Sequence, residues 1–358
     1  MGTRPIKINA NPSGIGEPEE SAWERMNRLG AAGIPFLFLT DFKGEQLEVF
    51  DLAELEREDI FFDIEGVSNR EREPVLKNIY FEKYPIPIAQ YRPGFNLVKK
   101  HLLQGDSYLV NYTCATPVKT NLSLREIYCL SEARYKVLYK NKFTFFSPET
   151  FVKIKDGKIS TFPMKGTIDA SIPNARDIIL GDKKETAEHH TIVDLLRNDL
   201  SRVSRQVQVE RFRYVEEIKT REKHLLQISS EITGQLQAGW KNNLGNIFKE
   251  LLPAGSISGA PKKKTIEIIG AAEGQERGFY TGIVGWFDGE KVDSGVAIRF
   301  IENTKNGLQF RSGGGVTCFS EMEMEYQEMI DKVYLTKGLA CGVPVANNNT
   351  AEREPICS

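Results

Sequence analysis

Cysteine is scarce and poorly spaced for any framework. The five cysteines, at 114, 129, 318, 341 and 357, are odd in number and form no CxxC pair. That spacing argues against a disulfide scaffold or a zinc site, and for reduced thiols in a cytoplasmic setting. An excess of either charge is missing too: 47 Lys and Arg stand against 49 Asp and Glu, for a net charge of −2. No global field recruits nucleic acid or an anionic membrane surface. No run approaches the roughly 18 consecutive apolar residues of a membrane span. The polar, breaker-rich opening MGTRPIKINANPSGIGEPEE has no signal-peptide core, and Ile6 stands where a myristoylation pattern needs Ser or Thr.

What remains is a chain of 358 residues, 40% hydrophobic and 27% charged, long enough to bury a sizeable core. Residues 1–20 read as a flexible arm, 21–340 as one integrated domain, and 341–358 as a patternless, disordered tail. IPFLFLTDFKGEQLEVFDL (34–52) reads as a hairpin with Lys43-Gly44 at its turn. NLVKKHLLQGDSYLVNYTCATPV (96–118) reads as a helix ended by Gly105 and followed by a strand. The stretch 143–167 supplies three strands, 183–201 a helix, 224–236 a strand, and about 321–337 a last helix. Glycine-punctuated strands fill the region between 279 and 318. Strands follow one another in hairpins without βαβ alternation, so the class is α+β with antiparallel sheets.

Several stretches carry chemistry-bearing residues. Two helical segments hold carboxylates three apart, Glu185 with Glu188 and Glu325 with Glu328, each pair projecting from one helix face. Each pair is either an ordinary charged face or half of an all-oxygen site suited to Mg²⁺. LLPAGSISGAPKKKTIEIIG (251–270) is a glycine-rich loop entering a helix, either a plain turn or an anion cradle with Ser256 as hydroxyl donor. Its Lys262-Lys263-Lys264 run is most simply a solvated face. RSGGGVTC (311–318) can present consecutive amides to a carboxylate. Arg299 lies in an otherwise apolar strand pattern and needs a planar anionic partner, internal or bound. Lys165, in TFPMKGT (161–167), reads as a loop lysine between a proline and a glycine. Tyr280, His224 and Glu149 each have an ordinary structural reading as well.

Taken in order, GDSYLVNYT, FSPETF, PMKGT, ETAEHHTIVDLLRNDL, KHLLQISSEITGQL, LPAGSISGAPK, RGFYTGIVGWF, AIRF, SGGGVT and EYQEMIDKVYL resemble the chorismate-utilising enzymes over most of residues 95–337. The resemblance implies an anthranilate synthase-like fold, large antiparallel β-sheets forming a β-sandwich flanked by helices. It implies Mg²⁺ held by Glu188 and Glu328 with Glu185 and Glu325 in support. It also implies a substrate grip by Tyr280, Arg299, Gly313, Gly315 and Lys332, hydroxyl donation from Ser256 and Thr167, and a ring-facing His224. Members that make anthranilate, isochorismate or salicylate read P-x-A-G-T where this chain reads PMKGT. The lysine resembles the aminating branch, which turns chorismate and ammonia into 4-amino-4-deoxychorismate on the route to para-aminobenzoate and folate.

On that reading Lys165 is a covalent nucleophile at ring C2 and Glu149 the general acid for the departing 4-hydroxyl. Such a nucleophile needs an amine of lowered pKa. The chain shows no Gly-x-Cys-x-Gly amidotransferase turn, so ammonia is expected from a separate glutamine amidotransferase subunit. It shows no room for a pyruvate-eliminating domain. Residues 21–94 match the family poorly. The remaining alternatives are an anthranilate synthase component I, an isochorismate or salicylate synthase, and a chorismate-binding module without turnover.

Overall fold

The computed structural model describes residues 20–335 except 71, 72, 74, 76 and 220–223. The arm expected over 1–20, apart from its last residue, and the tail over 341–358, with Cys341 and Cys357, lie outside the described residues. Among the described residues eighteen strands form two nine-stranded sheets in which every pair is antiparallel.

The first sheet runs from Met164–Asp169 through His224–Gln235, Lys158–Thr161, Thr150–Lys155, Val292–Val296, Ile283–Phe287 and Phe36–Thr40 to Leu47–Asp51. Arg205–Lys219 pairs along the other side of His224–Gln235. The second runs from Gly259–Ala260 through Leu109–Thr120, Gly307–Val316, Phe300–Thr304, Phe143–Ser147, Tyr135–Tyr139 and Ile60–Ile64 to Val67–Ser68, with Phe81–Lys83 also paired to Leu109–Thr120.

Between the sheets, side chains from both interdigitate. Phe62 stacks on Trp286 at 5.0 Å, and Tyr139, Phe143, Phe279 and Phe300 form a stacked row. Rings packed this way combine large apolar burial with favourable offset geometry. Polar ties also join the sheets: the Tyr135 hydroxyl donates to Asp293 Oδ1 at 2.7 Å, and the Tyr139 hydroxyl donates to Glu48 Oε1 at 2.7 Å. The outer face of the first sheet is covered by helices including Ala22–Ala32 and Leu244–Leu251. Leu124–Leu130 covers part of the second. The expected α+β sandwich flanked by helices is the observed architecture.

The 34–52 hairpin pairs Phe36 with Asp51, and Gly44 takes the left-handed φ of +73° its turn requires. The 96–118 segment is a helix, Ile88–Leu103, then Gly105 at φ +78° and the strand Leu109–Thr120. The helix starts earlier than the apolar pattern suggested. The stretch 143–167 holds parts of four strands, not three, because Pro163 interrupts pairing without ending the sheet and Met164–Asp169 resumes it. The last helix is shorter than expected, Met322–Asp331. Among the described residues no helix is long and apolar enough to cross a membrane. Cys114, Cys129 and Cys318 are free thiols.

Candidate active site

The two sheets and the helix Lys183–Ser201 enclose a cavity of about 280 Å³. Lys165 reaches it from Met164–Asp169, so it is a strand residue and not the loop residue its flanking proline and glycine suggested. The strand pairs with His224–Gln235 but slips by one residue between Lys165 and Thr167. Gly166 is the extra residue of that bulge, at φ +75°. The bulge leaves Lys165 and Thr167 both on the cavity wall.

The helix Lys183–Ser201 packs beside this strand. Asp182 caps it by accepting from the Glu185 N–H at 2.9 Å. One turn further on, Glu188 Oε2 stands 2.8 Å from Lys165 Nζ. Burial alone would lower the Lys165 ammonium, but Glu188, with Glu185 and Glu328 behind it, holds it above the ordinary lysine value. In this arrangement the lysine carries its proton, contrary to the lowered pKa expected of the nucleophile.

Glu149 enters from the turn before Thr150–Lys155 and accepts a hydrogen bond from Ser256 Oγ at 2.7 Å. Burial pushes its carboxyl above the usual carboxylate range, against the pull of Ser256, Arg299, Lys332 and Lys165. Ser256 therefore donates to Glu149, although the expectation was donation to a ligand. Tyr280 lines the same cavity, its hydroxyl pushed up to about 12 by burial.

Arg299 is not inside a strand. It sits between Val292–Val296 of one sheet and Phe300–Thr304 of the other, at φ +55°, where the chain crosses over. Alternating apolar neighbours mimic a strand there, but the crossover breaks it. The guanidinium touches the Tyr334 hydroxyl at 3.3 Å and forms no ion pair among the described residues. It thus faces the cavity ready for a carboxylate.

Gly313 and Gly315 belong to Gly307–Val316, paired over 309–316 with Leu109–Thr120. Beyond Arg311 the strand has no neighbour on its other side. Alternate amides, not the consecutive ones expected, are left on that side. Lys332 donates to the Gly313 carbonyl at 2.8 Å and to Glu328 Oε1 at 2.5 Å.

The four glutamates come from two helices and gather at one rim. Gly314 has no side chain to keep them away: a Cβ there would lie 3.2 Å from Glu328 Oε1 and 3.4 Å from Glu325 Oε2. As placed, no three carboxylate, imidazole or thiol groups among the described residues stand close enough to share a metal ion. The donors are nevertheless all carboxylate oxygens, the kind a hard divalent cation takes. Lys165 and Lys332 now offset charge on Glu188 and Glu328.

His224 is not brought to the site. It opens its strand in solvent, with Nε2 3.3 Å from Glu217 Oε2. Gln227, directly across the ladder from Thr167, lines the cavity where a polar side chain was expected. Asn111 lines it too, and its buried Oδ1 has no hydrogen-bond partner. Neither was singled out from the sequence. Strand register was the signal for Gln227, and it depends on a bulge that the sequence marks only by Gly166.

The family model for chorismate binding enzymes matches residues 41–337. An uncharacterised PabA-like protein of Pasteurella multocida is 50% identical over 317 residues, covering 88% of this chain and 98% of its own. Aminodeoxychorismate synthase component 1 of Bacillus subtilis is 30% identical over 312 residues, 83% of this chain and 65% of that one. The crystal structure of anthranilate synthase component I from Streptococcus pneumoniae superposes with a TM-score of 0.60 at 27% identity, covering 73% of this chain and 60% of that one.

Proposed function

The chain belongs to the chorismate binding enzyme family, and from that premise we propose that it aminates chorismate to 4-amino-4-deoxychorismate, as an aminodeoxychorismate synthase component I. The observation that carries the reading is the presence of Lys165 and Glu149, a carboxyl that burial raises above the usual range, on the walls of one cavity. A pure binding module has no use for that pairing, and the isomerising members of the family need no amine nucleophile.

In the proposed course, Lys165 Nζ bonds to ring C2 as the ring double bonds shift and the C4–O bond breaks. Glu149 gives its proton to the departing hydroxyl, which leaves as water. Ammonia then bonds to C4, the double bonds shift back, and the C2–Nζ bond breaks to free the neutral amine, with the proton lost by the new ammonium returning to the Glu149 carboxylate. The sum is chorismate plus ammonia giving aminodeoxychorismate plus water. Arg299 and Lys332 bind substrate carboxylates, with Tyr280 and Thr167 orienting the ring. Lys165 must first surrender the proton that Glu188 favours. A Mg²⁺ held by Glu188 and Glu328, with Glu185 and Glu325 in support, would neutralise those carboxylates and polarise a substrate carboxylate. Ammonia would come from a separate glutamine amidotransferase subunit, and the product would serve para-aminobenzoate and folate synthesis.

Product analysis tests this directly. Chorismate, Mg²⁺ and ammonia should yield aminodeoxychorismate without pyruvate, and intact mass spectrometry should show an adduct on wild type that Lys165→Ala lacks. Anthranilate with equimolar pyruvate would instead establish an anthranilate synthase. Undiminished amination by Lys165→Ala would remove the covalent course.

A further inference from the structure

The turn running from Leu251 to Lys262 carries Ser256 into the cavity, and both of its ends meet at one ion pair. Lys262 Nζ donates to the Leu251 carbonyl at 2.8 Å and stands 2.8 Å from Asp199 Oδ1. The two side chains are 14% and 6% exposed, so the lysine is not the solvated residue that its KKK run suggested. Asp199 lies near the end of the helix Lys183–Ser201. Its second oxygen is buried against the backbone of Gly255; burial raises the carboxyl and the Gly255 N–H lowers it. A Cβ on Gly255 would lie 2.7 Å from that oxygen and 2.9 Å from Leu195 Cγ. The turn can seat this closely on the helix only because residue 255 has no side chain. The next residue, Ser256, donates to Glu149 Oε1 at 2.7 Å.

We propose that Asp199 and Lys262 are a positioning pair that locks the 251–262 turn to the helix and so sets the Ser256 hydrogen bond to Glu149. A buried ion pair is costly to break by removing one partner, because the other charge is left without compensation. The pair therefore fixes the Leu251 end and the Gly255 stretch on the helix, while pairing of Gly259–Ala260 with Leu109–Thr120 holds the segment on the sheet. A separate brace, Arg277 Nη1 on the Ile257 carbonyl at 3.0 Å, holds the far side of the turn and does not reach Ser256. The charged groups acting on Glu149 are Arg299, Lys332 and Lys165, and those acting on Asp199 are Lys262 and Arg202. None of the first set belongs to the clamp, so the clamp reaches Glu149 through Ser256. The inference rests on Glu149 being the proton donor.

Its test is the pH dependence of kcat for amination by the full chain, with saturating chorismate and Mg²⁺ and a fixed concentration of free ammonia. Ser256 stabilises the Glu149 carboxylate by donating to it, so losing that bond makes Glu149 keep its proton to higher pH. A general acid that stays protonated longer moves the alkaline limb upward. Ser256→Ala should move it by about 0.5–1 pH unit, the equivalent of one hydrogen bond. Asp199→Asn and Lys262→Met, each first shown to melt cooperatively, should move it the same way. Asp199→Asn combined with Ser256→Ala should move it no further than Ser256→Ala alone, and Lys262→Arg should restore it. If Asp199→Asn does not fold, the Lys262 variants carry the same comparison. A limb that moves in Ser256→Ala but stays in place in the folded clamp variants, or moves additively in the double variant, overturns the positioning role. A limb unmoved by Ser256→Ala and still present in Glu149→Gln overturns Glu149 as the donor, and the clamp's role with it.

Discussion

Glu149 has to satisfy two opposed demands, since the burial that makes it a usable acid also works against the fold. A carboxyl raised above its unfolded value binds its proton more readily when folded. The stability it contributes is present in acid and is lost as pH rises through the folded value. At neutral pH the ionised, partly buried form is therefore a net cost. Glu149→Gln should raise the melting temperature at neutral pH, and the gain should vanish below the ordinary value of 4.5. The same substitution should lower kcat by about 10²- to 10⁴-fold, the usual share of general acid catalysis. Differential scanning fluorimetry across pH, beside turnover assays, checks both. A fall in melting temperature at neutral pH would contradict the role assigned to burial.

Lys165 shows how far a single residue could be read. Its motif, PMKGT, was legible in the sequence, and the proposed amination rests on it. Its ion pair with Glu188 was not, because the partner comes from a helix 23 residues on and the distance is set by how that helix packs. Lys262 was misread for the same reason. Three consecutive lysines have no period that distinguishes a buried one, and Asp199 makes burial of the first of them tolerable.

At the scale of elements, the bulged strand Met164–Asp169 is the part on which the site most depends. Gly166 must hold φ +75°, and a Cβ there would lie 3.4 Å from Glu185 Oε2. Gly166→Ala should cost roughly 1–2 kcal/mol from the left-handed backbone alone. It should also lower turnover by more than that stability loss accounts for, because Lys165 and Thr167 shift together. Urea denaturation compared with kcat at a temperature where the variant is fully folded checks this. An unchanged kcat would show that the bulge does not aim the lysine.

Three helix starts carry a local signal that was not singled out from the sequence. The segments SAWE, DLAE and SLRE each form a reciprocal capping box at a helix start. The strands around the site were harder to read. Arg299 has strand-like neighbours yet turns between sheets, and His224 has the right chemistry yet lies three residues from the position that faces the cavity. In a ladder of period two, one bulge decides which side chains look inward.

At the scale of the whole molecule, the cavity exists because two sheets are held at a fixed separation. Gly295 of the first sheet lies directly over Tyr135 of the second, where a Cβ would come 2.3 Å from the ring carbon Cγ. Gly295→Ala should wedge the sheets apart at about 1–3 kcal/mol, the usual cost of overpacking. Because Asp293 and Thr150 share the Tyr135 hydroxyl, the disturbance should reach the strand that follows Glu149. Thermal denaturation with chorismate titration checks it. Weakened chorismate binding should accompany the lower melting temperature, and full affinity would show the cavity to be insulated from the sheet spacing.

The sequence by itself determined the fold class, the family and the inventory of reactive groups. Hairpin spacing, glycine punctuation and ordered motifs are local properties of the chain, so they survive without coordinates. Only the tertiary structure decided which members of that inventory meet. Burial raised the Glu149 carboxyl, Ser256 became its hydrogen-bond donor, His224 was left in solvent while Gln227 took the wall, and Lys262 was buried against Asp199. Each of those outcomes depends on distance and desolvation between residues far apart in the chain, and neither quantity is written in any local stretch of sequence.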